Sequence, residues 1–181
     1  PSIRRNIVGI GVPNLTRDEV GDMVDIAEMA GHVRFDALAR ERLAEVSAGL
    51  PYLVGLIGQN AVLEAADSGD SWIGRAHVER AVAIGCDEIA SRLSLRCTYA
   101  LERMSALHAK LLERAAVEAT SQGGLIVDPA LTAELRQHEG AFADILQPLP
   151  DDPRGGWRFS EDGAASLVWL RSFCKSQARA A

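Results

Sequence analysis

Apolar residues recur at helical spacing along most of the chain, and short polar or glycine-containing breaks separate one helical stretch from the next. The first helix is predicted to begin after Thr16, because Thr16 and Glu19 have the spacing of a capping box, and to end at Gly31. Three further helices are predicted over residues 36–49, 51–67 and 75–84. Four helices with such short connections predict a compact bundle.

The pattern after Gly85 combines helical and strand-like stretches. It continues helically, in two parts, to about Ser121, and further helices are predicted over residues 128–135, 141–149 and 161–175. The segments 125–127 and 157–159 have the branched or aromatic residues of short strands. Helices followed by a small wing and a last helix have the element order of a winged-helix-like domain.

The predicted fold is therefore mainly α: a four-helix bundle over residues 15–84, then a winged-helix-like domain with a small β wing over residues 85–181. Residues 3–12 have the pattern of a single strand, and residues 1–14 are interpreted as a residual strand and linker. A lone strand is not stable by itself, so it must pair with another part of the protein. Because the first residue is Pro1 rather than Met, we expect the chain to begin within a longer protein.

Composition narrows the functional classes. The formal net charge is −6, which argues against a domain that holds nucleic acid mainly through its phosphates. Cys86, Cys97 and Cys174 form no C-x-x-C pair, which favours a reduced, cytoplasmic setting. No apolar run reaches the roughly 20 residues of a membrane span, so no membrane association is expected.

The sequence contains no recognisable catalytic or metal site of its own. It has no G-x-x-x-x-G-K-[ST] phosphate loop, and no apolar strand ends in paired acidic residues that would hold Mg²⁺. The four histidines lie far apart in sequence without zinc-ligand spacing, at His32, His77, His108 and His138. We therefore expect neither catalysis nor a bound metal in this chain alone.

The turn Gly49-Leu50-Pro51-Tyr52 is the most informative short segment. Gly49 can end the preceding helix with a positive φ, and proline suits the first position of the next. The N-terminus of that next helix would present free amides and the positive end of its dipole. Taken alone, the same turn is also a common type of connection between two helices.

Five features follow one another in the first half of the chain: a strand at residues 7–12, L-T-R-D-E at residues 15–19, F-D-A-L-A at residues 35–39, the turn at residues 49–51 and a helix after Ile73. In this order they resemble the helical lid of AAA+ and STAND-type P-loop ATPases, a broad group of signalling NTPases and initiator proteins. The resemblance covers residues 1–84 and extends more loosely to the winged-helix part.

The resemblance implies a regulatory C-terminal part of a nucleotide-binding ATPase. The chain would hold no cofactor alone, and the parent protein would bind ATP or ADP with Mg²⁺ between its P-loop core and this lid. Gly49, Leu50, Pro51 and Tyr52 would then supply one wall of the nucleotide site. The implied partners are the ATPase core of the same protein and a further protein to which the nucleotide state is passed.

One residue departs from the pattern of many AAA+ proteins. They place an arginine directly after the proline, where it reaches the γ-phosphate, whereas this chain has Tyr52. The resemblance is therefore nearer to the STAND branch, in which no such arginine follows. The other cations near this part of the sequence, Arg40, Arg42 and Arg75, are interpreted as solvated residues of helix faces.

Two other functions remain open from the sequence. If the winged-helix-like domain binds DNA, Arg154 and Arg158 of the wing would contact the phosphate backbone. The negative charges of Asp151 and Asp152 offset the positive charges of these arginines. The predicted recognition helix 141–149 has no basic residue, so nucleic acid is disfavoured as a partner. The third possibility is a helical scaffold that simply binds another protein. Four aromatic residues are assigned to the core of the second domain: Trp157, Phe159, Trp169 and Phe173.

Overall fold

The structure is a computed structural model, and it describes residues 13–150, 152 and 155–178. The strand predicted over residues 3–12 and the candidate Arg154 lie outside the described residues. The described elements are α1 (Arg17–Gly31), α2 (Ala37–Ser47), α3 (Pro51–Ser68), α4 (Arg75–Arg92), α5 (Leu95–Glu102), α6 (Ala106–Ser121), β1 (Leu125–Ile126), α7 (Pro129–Gln137), α8 (Glu139–Phe142), β2 (Leu146–Pro148), β3 (Trp157–Phe159) and α9 (Ala164–Ala178). The fold is mainly α with a small β wing, which confirms the predicted class.

The starts of the first three helices follow from their local sequence. At α1 the Glu19 amide donates to the Thr16 hydroxyl at 3.2 Å, and the Thr16 amide donates to the Glu19 carboxylate at 2.8 Å, so the predicted capping box is confirmed. Asp36 accepts from the amide of residue 39 at 2.6 Å and caps α2. Pro51 occupies the first turn of α3, as predicted.

The prediction that α4 ends at Ile84 is wrong, because the helix continues to Arg92. Gly85 lies inside it and is buried against α3, where an added Cβ atom would be in ordinary van der Waals contact with Leu56, at 3.5 Å. This glycine therefore lies within the contact between α3 and α4 and does not end the helix. The sequence offers no local sign that separates these two uses of glycine.

The helix predicted over residues 141–149 is also wrong. Its first two residues complete α8, and residues 146–148 form β2, which pairs with β3 so that Gln147 lies opposite Arg158. The carbonyl of Ile145 accepts the amide of Ser160 at 2.8 Å. This segment is a strand because it pairs with residues nine to thirteen positions further along the chain, and local helical spacing does not reveal such a pairing.

The last helix begins at Ala164 rather than Glu161. Gly163 has φ +89°, a left-handed conformation that stops the helix from extending towards Ser160. The Glu161 carboxylate instead accepts the amide of Ser94 at 2.7 Å, at the start of α5.

The three strands form an antiparallel sheet in the order β1-β3-β2, and β3 is the central strand. The chain order α6-β1-α7-α8-β2-β3 agrees with the winged-helix-like order that the sequence predicts. The buried apolar residues form one cluster that extends from α1 to α9, because α9 packs against both α6 and α4. The division into two domains near residues 85–104 stays a prediction.

In the part of the chain that the structure describes, every helix is too short or too polar to span a lipid bilayer.

Candidate functional site

The candidate turn joins α2 to α3 through two residues in left-handed conformations. Ala48 ends α2 with φ 49°, and Gly49 follows with φ 72°. Leu50 then adopts an extended conformation as the N-cap of α3, and Pro51 is the first residue of that helix. The predicted positive φ of Gly49 and the helix start at Pro51 are both confirmed.

The segment before α1 holds this turn in place. The Leu15 amide donates to the Gly49 carbonyl at 2.7 Å. A Cβ atom on Gly49 would lie 2.1 Å from the Leu15 carbonyl oxygen, a distance that real Cβ contacts do not reach. Glycine is therefore required here by its φ value and by the close approach of a second backbone segment.

Two side chains connect the turn to the second half of the chain. The Asn14 carboxamide donates to the Ala48 carbonyl at 3.0 Å and also to the Thr120 carbonyl of α6 at 2.6 Å. The Trp169 indole of α9 donates to the Val46 carbonyl, in the last turn of α2, at 2.7 Å. The backbone that leads into Gly49 is thus hydrogen-bonded to the segment before α1 and to α9, and through Asn14 it is connected to α6.

The four candidate residues differ in their exposure to solvent. Gly49 is buried and Leu50 is half-buried, whereas Pro51 and Tyr52 are exposed. Leu50 is apolar, so its side chain does not cap the first amides of α3 at the positive end of the helix dipole. The proline and tyrosine rings are the exposed apolar surfaces of this turn. None of these four side chains is a cation, so they offer no ion pair to phosphate.

Tyr52 has a specific neighbour. Its hydroxyl accepts a hydrogen bond from the guanidinium of Arg92 at 3.3 Å, and Arg92 also pairs with Glu88 one turn earlier in α4. The tyrosine after Pro51 is therefore connected to an arginine from the end of α4. The sequence places these residues 40 positions apart and gives no sign of the contact.

The three arginines considered from the sequence are engaged elsewhere. Arg40 pairs with Asp25 and Glu28, both at 2.7 Å, and Arg75 pairs with Glu79 at 2.8 Å. The interpretation of Arg42 as a solvated residue is wrong, because Arg42 is only 7% exposed.

Arg42 instead connects three helices. Its guanidinium is 3.3 Å from Glu45 of α2 and 3.4 Å from Glu79 of α4, and it lies over the Phe173 ring of α9 at 4.5 Å from the ring centroid. A buried arginine is stable here because two carboxylates and an aromatic face replace its water. Phe173 and Trp169 of α9 therefore contact α2 and not only the core of the second half, whereas Trp157 is buried in that core as predicted.

The wing places Arg158 at the exposed surface of the central strand β3. The helix expected to read DNA is reduced to the four residues of α8, which contain no lysine or arginine. Among the described residues this arrangement gives Arg158 no basic neighbour on β2, where Gln147 is its partner in register.

Two of the three cysteines, Cys86 and Cys97, are partly or fully buried. Burial raises the pKa of Cys86 to about 11 and that of Cys97 to about 11, so both remain thiols near neutral pH. Within the described residues, no group of three or more His, Cys, Asp or Glu side chains has the arrangement of a metal site.

No family model matches the chain, and no curated protein or solved structure matches it either.

Proposed function

We propose that this chain is the regulatory C-terminal part of an AAA+/STAND-type ATPase, in which α1–α4 form the lid over a nucleotide and the winged-helix-like half responds to the movement of that lid. ATP or ADP with Mg²⁺ would bind between the lid and a P-loop core elsewhere in the same protein. The lid would contribute Gly49, Leu50, Pro51 and Tyr52 and no catalytic group. A cytoplasmic location belongs to the same proposal.

The proposal depends on one observation: the candidate nucleotide-facing turn is also the junction between the two halves of the chain. Asn14 bonds to Ala48 and to Thr120 of α6, and Trp169 of α9 bonds to Val46. A ligand that shifts the backbone at Gly49 therefore has to stretch or break contacts to α6 and α9. Such a two-sided junction is what coupling between nucleotide state and a distant surface requires.

We propose that the winged-helix-like half passes the change in nucleotide state to another protein and not to nucleic acid. Phosphate recognition needs clustered lysines or arginines, and the described part of the wing offers Arg158 with Gln147 as its cross-strand neighbour. The chain also carries a formal net charge of −6. Both features favour a protein surface as the binding partner of the winged-helix-like half.

The test uses the whole polypeptide that the gene encodes and measures its affinity for a fluorescent ADP analogue. Tyr52→Ala removes an exposed aromatic ring from the turn, and we expect it to weaken ADP binding by about tenfold, the value of one stacking contact. Tyr99→Ala is the matched control, because Tyr99 is similarly exposed but lies on α5.

Equal affinities in the two variants would contradict the role of the turn. Absence of a P-loop in the encoded polypeptide, or absence of any ADP or ATP binding by it, would remove the ATPase assignment altogether. The 181-residue chain alone should bind neither nucleotide measurably, since the residues proposed to contact phosphate lie outside it.

A further inference from the structure

Two histidines that are 30 positions apart in sequence meet at the junction of α6 with α7 and α8. His108 lies in the first turn of α6, and His138 is the residue between α7 and α8. The Nε2 atom of His108 is 3.4 Å from the Nδ1 atom of His138, and both residues are half-buried. The two rings thus bring one nitrogen each close together, and both residues keep part of their surface exposed.

The geometry of the pair suits two ligands of one metal ion. Two imidazole nitrogens at about 2.05 Å from a tetrahedral ion lie about 3.3 Å apart, and their ring centroids then lie about 5.1 Å apart. The corresponding distances here are 3.4 Å and 5.0 Å. Both distances agree with this geometry within a few tenths of an ångström.

A straight hydrogen bond between the rings fits less well. At the same N···N separation, a linear N–H···N arrangement would place the two centroids about 5.6 Å apart. The observed centroids are closer, and the rings are inclined by 61°. The separation of 3.4 Å also exceeds the usual range for nitrogen donors.

The surrounding residues hold the His108 ring and the His138 backbone independently of a metal. His108 packs edge-on against the buried ring of Phe142, with centroids 5.4 Å apart. The backbone of His138 is held by its amide, which donates to the Leu135 carbonyl at 3.1 Å, and by its carbonyl, which accepts the Ala141 amide at 2.8 Å. Prepositioned ligands lower the entropic cost of binding a metal.

We propose that His108 and His138 form a two-histidine site for a first-row divalent ion that prefers imidazole nitrogen, such as Zn²⁺, Ni²⁺ or Cu²⁺. The described residues supply no third side-chain ligand, so water completes the coordination shell. The bound ion would fasten α6 to the α7–α8 junction and so stabilise the winged-helix-like half. This inference does not depend on the proposed ATPase function.

The other two histidines are unsuited to the same role and supply a control. His77 uses both ring nitrogens, accepting from the Gly74 amide at 3.0 Å and bonding to Asp70 at 3.0 Å. His32 is exposed at the end of α1, with φ 52°. His32→Asn removes one imidazole and keeps a side chain that tolerates the left-handed conformation.

The test is thermal unfolding of the purified chain with and without Zn²⁺, with Mg²⁺ as a hard-cation comparison. At a Zn²⁺ concentration ten times the dissociation constant found by calorimetry, we expect the unfolding midpoint to rise by about 3–6 °C. The rise should persist in His32→Asn and be lost in both His108→Gln and His138→Gln. Each variant is compared with itself without metal, so a change in its basal stability does not confuse the result.

Each outcome bears on the proposal. A rise that depends on both His108 and His138, with a stoichiometry of one ion per chain, supports the site. An equal rise in all variants would assign binding to the thiols or to scattered surface groups and would overturn it. No rise in the unmodified protein would leave the pair as an imidazole contact and would also overturn it.

Discussion

Gly49 and Gly69 have nearly the same backbone conformation, with φ values of 72° and 73°, but they have different surroundings. A Cβ atom on Gly49 would lie 2.1 Å from the Leu15 carbonyl, whereas one on Gly69 would have no atom within 4 Å. Substituting these two glycines therefore separates the free-energy cost of the backbone conformation from the cost of a steric clash. A substitution at Gly69 measures the cost of the left-handed conformation alone. A substitution at Gly49 measures that cost together with the cost of the close approach of Leu15, which precedes α1.

Gly69→Ala should lower the free energy of unfolding by about 1–2 kcal/mol, the usual cost of a left-handed alanine. Gly49→Ala should cost at least about 2 kcal/mol more, because the backbone contact with Leu15 must also open. Urea unfolding of the two variants measures the difference. Equal losses would mean that the turn is not clamped by residue 15.

Trp169 is the second residue whose contribution to stability can be measured separately. Trp169→Phe keeps most of the ring but removes the hydrogen bond to the Val46 carbonyl, so we expect a loss of about 1 kcal/mol. Trp72→Phe is the control, because Trp72 is 59% exposed and its replacement should change stability by less than about 0.5 kcal/mol. If chemical denaturation gives the same small change for both, the indole does not connect α9 to α2.

At the scale of elements, Glu28 holds α1 against the segment that enters α2. It is buried on α1, accepts the Phe35 amide at 2.8 Å and pairs with Arg40 at 2.7 Å. Burial raises the pKa of this carboxyl, but the Phe35 amide and the Arg40 guanidinium outweigh it, so the pKa lies below its ordinary value of 4.5. The stabilisation is therefore present above that value and is lost as the pH falls through the lowered pKa.

Glu28→Gln should destabilise the protein by about 1–3 kcal/mol at about pH 7, because its charge-assisted contacts with the Phe35 amide, Arg40 and Arg34 are weakened. Its stability should also fall less steeply than that of the unmodified protein on acidification below about pH 4.5. Asp22→Asn, at an exposed position of the same helix, should leave the steepness unchanged. Parallel pH profiles for Glu28→Gln and the unmodified protein would contradict the role of Glu28.

Local sequence predicts those features that local chemistry determines. The capping box at Thr16, the start of α3 at Pro51 and the positive φ of Gly49 involve residues that are at most three positions apart. The end of α4 and the strand β2 are missed because they depend on distant partners. Gly85 is accommodated by Leu56, and Gln147 pairs with Arg158, neither of which is visible in a window of one helix.

The same distinction applies to the candidate site. The four turn residues can be selected from their order and spacing, but the contacts from Asn14, Arg92 and Trp169 cross 34, 40 and 123 positions. A single sequence contains no signal for pairs at such separations. The interpretation of Arg42 fails for the same reason, since its burial requires Phe173 from the last helix.

At the scale of the whole molecule, the two predicted domains share contacts along α4 and α9 and one buried apolar cluster. We therefore expect a single cooperative unfolding transition. Incorporation of 5-fluorotryptophan would give separate ¹⁹F signals for Trp72 in the first half and Trp157 in the second. Their urea midpoints should coincide, and two separated midpoints would mean that the halves unfold independently.

The most direct test of nucleotide coupling is hydrogen–deuterium exchange of the whole encoded polypeptide with and without ADP. ADP should slow amide exchange at the start of α3 and also change it in α9 around Trp169 and at the end of α6 around Thr120. Trp169→Phe should retain the effect at α3 and reduce that at α9. Protection of α3 without any change in α6 or α9, or ADP binding that leaves all three unchanged, would contradict the account.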